Sequence, residues 1–162
     1  MSVKGNVIRF GDNINTDIIS PPQYMELGIE DSARYAMSAV DPDFYQKVKD
    51  QQIIVAGNNF GSGSSRETSP LTLKYLGTKA IVAKFFARIF YRNAINVGLL
   101  VVECQEADRI NEKDQIEIDF KEGIIKNLTQ NEQYKCTKIP PHLERLIDEG
   151  GLVAHLKKQF QN

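Results

Sequence analysis

Two adjacent hydroxyls and a guanidinium, set among glycines, are the strongest chemical signal in this chain. They lie in Asn58-Asn59-Phe60-Gly61-Ser62-Gly63-Ser64-Ser65-Arg66-Glu67. The apolar run Ile53-Ile54-Val55-Ala56 comes before, and Pro70 to Leu76, closed by Gly77, comes after. This order predicts a buried strand, a glycine-rich turn and a helix. Gly61 and Gly63 admit positive φ and let other groups approach the backbone. Unpaired N–H groups at such a turn attract anions. Arg66 adds a planar fork suited to a carboxylate or a phosphate. The residues point to an anion site with a hydroxyl beside it, although a plain serine-capped turn fits the same composition. No Gly-Lys-Ser/Thr follows, so this is not a Walker loop. The dinucleotide spacing G-x-G-x-x-G is absent, and Ser64 lacks the flanking pattern of a nucleophile elbow.

The elements that must position these groups belong to an ordinary globular chain. Its 162 residues are 41% hydrophobic and 25% charged, which fits one domain over 1–162 with a real core. A formal net charge of −1 offers no basic face for bulk nucleic acid or an anionic membrane. No apolar run reaches spanning length. Met1-Ser2-Val3-Lys4-Gly5 has no apolar signal region, and the expected location is cytoplasmic. Cys104 and Cys136 are too few for the usual cluster-binding thiolate set. His142 and His155 make no familiar metal spacing with them, so no metal ligands are expected in this chain.

Val3 to Phe10 reads as a first strand, followed by turn residues Gly11-Asp12-Asn13. Asn15 to Tyr24 reads as irregular and partly extended, because Pro21-Pro22 opposes helix. Glu30 to Met37 reads as helical, and Asp41-Pro42-Asp43 as the cap of a short helix through Lys49. Ala80 to Ala83 and Leu99 to Cys104 read as further strands. Phe85 to Asn96 reads as a helix with an apolar stripe of Phe86, Ile89, Phe90 and Ala94. Strand, helix, strand in this order predicts a parallel unit. Ile116 to Phe120 alternates and pairs with Ile124 to Lys126 as a hairpin. Gln133 to Ile139 reads as a further strand, and a terminal helical segment opens at Pro140-Pro141. The expected class is α/β, with parallel core strands plus an antiparallel part.

Gly61-Ser62-Gly63-Ser64-Ser65-Arg66-Glu67 resembles the G-x-G-S-S-R-E motif of the aconitase-superfamily swivelling domain. Nearly the whole chain resembles one branch, the small subunits of 3-isopropylmalate dehydratase and their relatives. Three further blocks agree in order: Phe10 to Ile19 (FGDNINTDII), Ala87 to Asn96 (ARIFYRNAIN) and the C-terminal helical region. The resemblance implies a swivelling domain with β, β and α layers. It also implies half of a hydro-lyase that moves a hydroxyl between adjacent carbons of a substituted malate, as in leucine biosynthesis. By position, Ser64 matches the family's catalytic base. Arg66 matches its carboxylate-binding arginine, with Ser65 adding a hydrogen bond. Asp17 and Ser20 match substrate-pocket positions, with Thr16 beside them. Tyr24, Met25 and Leu27 match the loop that touches the substrate's variable group.

The Lewis acid that water elimination needs is implied elsewhere: a 4Fe-4S cluster on a separate large subunit, over which this chain closes. The implied partners are that large subunit and a small hydroxy-dicarboxylate. A homo-oligomer of the isolated subunit stays open. Ser62 stands where isopropylmalate-type subunits commonly carry cysteine, Thr68-Ser69 where they carry His-Ala, and Ser20 where they often carry proline. The Ser-Ser-Arg-Glu core is intact. Isopropylmalate is the expected substrate. Dimethylmalate, methylmalate/citraconate and homoaconitate enzymes, or a non-catalytic carboxylate-binding module, are the alternatives.

Overall fold

A computed structural model describes residues 2–64 and 68–148. Within these residues, seven strands form one mixed sheet: β1 (Ser2–Arg9), β2 (Ile53–Ala56), β3 (Ala80–Ala83), β4 (Leu100–Glu103), β5 (Gln115–Asp119), β6 (Ile124–Asn127) and β7 (Glu132–Lys135). Their spatial order is β4-β3-β2-β1-β5-β6-β7. The first four are parallel and the rest antiparallel.

Composition explains the division. Ile53-Ile54-Val55-Ala56 and Ala80-Ile81-Val82-Ala83 are buried at every position, as strands covered on both faces must be. β5 alternates between buried and less buried residues, as a strand with one solvated face does. β1 serves both halves. Ser2 to Asn6 pair with β5 and alternate in exposure, while Val7 to Arg9 pair with β2 in the covered part.

The sheet curls until its edges meet. Thr137 N–H, two residues beyond β7, donates to Glu103 O on β4 at 2.9 Å, and Glu103 N–H donates to Thr137 Oγ1 at 3.0 Å. The otherwise open edge of β4 is thereby covered.

The parallel strands are joined by crossovers. One carries α1 (Thr16–Ile19), α2 (Ile29–Ser32) and α3 (Phe44–Lys47), with single 3-10 turns at Pro22–Tyr24 and Ala33–Tyr35. The next two carry α4 (Thr68–Tyr75) and α5 (Arg88–Asn96), and α6 (Pro141–Asp148) packs on α5. Gly77 and Gly98, at φ 98 and 84, end α4 and α5.

Three local readings change. Asn15 to Ser20 is not irregular but one helical turn, because Asn15 Oδ1 accepts from Ile18 N–H and caps it. The fifth helix starts at Arg88 rather than Phe85, because Phe86 pairs with Phe60 in a parallel bridge. The helix expected over Glu30 to Met37 is two short adjoining pieces, Ile29–Ser32 and the 3-10 turn Ala33–Tyr35, and ends where Ala36 adopts φ −55, ψ 135. Residues 149–162, where the C-terminal helical reading continues and where His155 falls, lie outside the described residues.

The antiparallel half is organised by a buried carboxylate. Asp114 Oδ2 accepts from Asn111 N–H (2.8 Å), Asn127 Nδ2 (2.9 Å) and Gln130 Nε2 (2.6 Å). Burial pushes the Asp114 carboxyl up, but these donors outweigh it and hold the group below its ordinary value. With the native pKa below the unfolded one, this stabilisation is complete above about pH 4. It is lost as pH falls through the native value. Asp114→Ala is expected to cost about 1–3 kcal/mol at neutral pH, because the buried Asn127 amide and the half-buried Gln130 amide lose an acceptor. It should also remove part of the acid-induced loss. Urea unfolding of both chains at neutral and acid pH measures the two effects.

Candidate functional site

The site is built where the parallel strands end. The turns after β1, β2 and β3 are zipped together by backbone. On the β1 side, Gly57 N–H donates to Gly11 O (3.2 Å), Asn13 N–H to Asn58 O (2.9 Å), Gly61 N–H to Ile14 O (2.7 Å) and Thr16 N–H to Ser62 O (2.8 Å). On the β3 side, Lys84 N–H donates to Gly57 O (3.0 Å), Phe60 N–H to Phe85 O (3.0 Å) and Ala87 N–H to Phe60 O (2.9 Å). The serine-bearing turn is therefore sewn along both flanks before it reaches Ser64. Side chains add to this. Asp12 Oδ1 accepts from Asn58 N–H at 2.7 Å, and Asn59 Nδ2 donates to Asn13 Oδ1 at 3.2 Å. Asn13 and Asn59 both take φ 59, a left-handed conformation that asparagine accepts more readily than most residues.

Gly61 has a steric reason to be glycine. At φ 84, a Cβ there would lie 2.2 Å from Phe90 Cγ. Phe90 is fully buried, edge-on to Phe60 and stacked near Phe86. This aromatic trio is the floor under the turn. Gly63, at φ 104, lies over Thr16, and a Cβ there would be 3.1 Å from Thr16 Oγ1. Thr16 is 2% exposed, and its hydroxyl has no hydrogen-bond partner among the described residues. Ser64 is exposed at the end of this sewn turn. Ser65 and Arg66 lie outside the described residues.

A cavity of about 120 Å³ opens between the loop after α1 and α4. Ser20, Pro21, Tyr24, Met25, Leu27 and Ile29 form one wall, and Thr68, Leu71 and Thr72 of α4 form the other. Ser32 completes the described lining, which contains no charged residue. α4, which starts four residues after Ser64 in the chain, supplies one wall of the cavity.

The structure thus brings Thr16 against Ser62 and Gly63, and sets Ser20, Tyr24, Met25 and Leu27 around one cavity. Asp17 is exposed on the same turn of helix as Thr16. Ile29 lines the cavity with Met25 and Leu27, as its place in the same apolar segment suggests, whereas the α4 wall is missed by sequence reasoning. Leu71, an exposed leucine on a helix whose Ser69 and Thr72 are buried, is an inversion that only burial reveals. Arg88 donates to Glu103 Oε2 (2.8 Å) and Phe86 O (3.2 Å). Glu103 also accepts from Phe86 N–H at 2.9 Å, so the arginine acts on the turn only through Phe86 and its bridge to Phe60.

Both cysteines are free thiols. Burial pushes the Cys104 thiol up, and burial, then Cys104 and Asp119, push Cys136 up to about 12. Such thiols are poor thiolate donors. No cluster of three or more potential His, Cys, Asp or Glu ligands occurs among the described residues, so these residues do not fit an iron–sulfur site.

The aconitase C-terminal domain family matches residues 12–107. A 3-isopropylmalate dehydratase small subunit from Clostridium botulinum is 45% identical over 98% of this chain and 100% of its own. Small subunit 1 of the same enzyme from Thermotoga maritima is 49% identical over 96% of this chain and 95% of its own. The crystal structure of a 3-isopropylmalate dehydratase from Methanocaldococcus jannaschii superposes with a TM-score of 0.92 at 42% identity, covering 99% of this chain and 96% of that one. The fold is also shared with aconitase X of Thermococcus kodakaraensis, at a TM-score of 0.50 and 13% identity. The chain belongs to the aconitase C-terminal domain family, on its branch of 3-isopropylmalate dehydratase small subunits.

Gly61→Ala tests the aromatic floor. Gly77 shares the positive φ, at 98, but its nearest neighbour is the flexible end of Gln52 at 3.7 Å. Gly77→Ala therefore reports backbone strain alone, roughly 1–2 kcal/mol. Gly61→Ala should lose about 1–3 kcal/mol more, because the aromatic trio must move. Denaturant midpoints of the two variants give the comparison.

Proposed function

We propose that this chain is the small subunit of a hydro-lyase of the 3-isopropylmalate dehydratase type, active with a large subunit. The observation that carries the substrate is the cavity between the loop after α1 and α4, whose described lining has no charged residue. A branched alkyl group gains about 0.8 kcal/mol per buried CH₂ there. A carboxylate-bearing arm, as on homoaconitate, would want a cation, and the described lining offers none. Arg34, the nearest sequence candidate, lies instead over the Tyr45 ring, 5.9 Å from its centre.

In this reading Ser64 removes the carbon-bound proton as the hydroxyl leaves the adjacent carbon. It returns the proton when water re-adds in the other orientation. A serine is a weak base unless its anion is stabilised by N–H groups and positive charge. The turn's backbone and Arg66 take that role, and Arg66 and Ser65 also hold a substrate carboxylate. Thr16, whose buried hydroxyl has no partner among the described residues, accepts or donates a hydrogen bond at the Gly63–Ser64 edge. Asp17 and Ser20 line the substrate side, and Tyr24, Met25 and Leu27 receive the alkyl group. The Lewis acid belongs to a 4Fe-4S cluster on the large subunit. The complex works in the cytoplasm, and 1–162 acts as one swivelling domain.

An anaerobic assay with the large subunit of the same genome tests this reading. Isopropylmalate should turn over and homocitrate should not. Ser64→Ala should assemble normally and lose at least about 10²-fold in kcat. Unchanged turnover by an assembled Ser64→Ala complex would remove the assigned base. Preference for a methyl-substituted malate would keep the reaction and overturn the substrate. One relative, 47% identical and from Methanocaldococcus jannaschii, is named for both isopropylmalate and citramalate.

A further inference from the structure

The cavity wall formed by Tyr24 has a support that takes no part in the cavity itself. The Tyr24 and Tyr35 rings stack with centroids 3.8 Å apart and planes 8° from parallel. Tyr24 lines the cavity, and Tyr35 does not. Tyr35 lies behind Tyr24 and is 39% exposed.

The backbone carrying the two rings is anchored at both ends of the loop. Ser20 N–H donates to Thr16 O at 2.8 Å. At the far end, Met37 N–H is shared between Ile18 O (3.1 Å) and Ile19 O (3.3 Å). Ala33, Ala36 and Met37 are buried at 0–1% exposure, so Tyr35 stands on a packed base fixed to α1. Tyr24, Met25 and Leu27, in contrast, are held by single turns of local hydrogen bonds: Tyr24 N–H to Pro21 O, Met25 N–H to Pro22 O and Leu27 N–H to Tyr24 O. Met25 and Leu27 are exposed. Residues 20 to 36 form a loop with both ends on one helical turn, and the ring stack joins its weakly held half to its firmly held half.

We infer that Tyr35 is a positioning residue that sets the size selectivity of the substrate pocket by bracing Tyr24. The selectivity part rests on the reading that this cavity receives the substrate's alkyl group. Without the brace, Tyr24 and the Met25–Leu27 segment lose their fixed depth. A branched alkyl group then gains less over a methyl group. The reacting atoms, next to Ser64 on a separately sewn turn, are not displaced.

Two measurements on Tyr35→Ala and Tyr35→Phe test this. In the free full-length chain, hydrogen exchange at the Met25 and Leu27 amides should speed up about tenfold in Tyr35→Ala. It should stay at the parent rate in Tyr35→Phe, which keeps the ring, and the Met37 amide should hold in both. Unchanged exchange at Met25 and Leu27 in Tyr35→Ala would overturn the brace, whatever the substrate is.

In the assembled complex, Tyr35→Ala should lose roughly tenfold in the kcat/KM preference for isopropyl- over methyl-substituted malate. The loss should come through KM on the larger substrate, with kcat on the smaller within about twofold. Tyr35→Phe should match the parent. Equal losses on both substrates, or an unchanged preference in an intact complex, would overturn the selectivity role. If the parent complex does not use isopropylmalate, the substrate reading fails, and the exchange result still decides the brace.

Discussion

The structure depends on a pair of crossed backbone hydrogen bonds, from Gly61 N–H to Ile14 O and from Thr16 N–H to Ser62 O. Each joins the turn after β2 to the turn after β1. Without them the serine-bearing segment would be a glycine-rich loop with many accessible conformations. With them, and with Phe60 bonded to Phe85 and Ala87 on the other flank, the turn has one path, and Ser64 stands at its end. The parallel order β4-β3-β2-β1 is required for this. It places the ends of β1, β2 and β3 side by side, where ligands bind in open α/β sheets.

The surrounding features serve the same end. Phe90 fills the space a side chain at residue 61 would need. Glu103 holds Phe86 N–H and Arg88, which keeps the Phe60–Phe86 bridge in register. The same Glu103 closes the curled sheet through Thr137. One residue on the edge strand thus links the closure of the sheet to the flank of the site. The antiparallel half, with its Asp114 network, lies on the other side of β1 and contributes rigidity.

In the proposed reading, recognition and reaction are carried by different kinds of structure. The serine-bearing turn is tied by many backbone bonds to two neighbouring turns. The cavity is bounded by a loop with few such bonds and by α4. A loop of this kind can change its side chains without disturbing the sewn turn. That arrangement suits a family whose members act on malates differing in one substituent.

Much of the fold was legible in the sequence. Four-residue apolar runs such as Ile53 to Ala56 and Ala80 to Ala83 can only be covered strands between helical patterns. The alternation over Ile116 to Phe120 can only be a half-solvated one. Gly61, Gly63 and the Ser-Ser-Arg-Glu run singled out a candidate site through local chemistry. Tertiary structure decided the rest, because it depends on contacts between residues distant in the chain. Asn15 to Ser20 became a helical turn once Asn15 capped it. Phe85 and Phe86 left the fifth helix because Phe60, twenty-six residues earlier than Phe86, pairs with Phe86. Leu71 and Tyr35 have ordinary local surroundings in the chain. Only folding sets one across the cavity from Tyr24 and the other behind it. Local sequence determines which residues can react and which can be buried, since those are properties of side chains and short periodicities. Which groups face one another across a cavity is set by strand order and loop anchoring, which no short stretch of sequence contains.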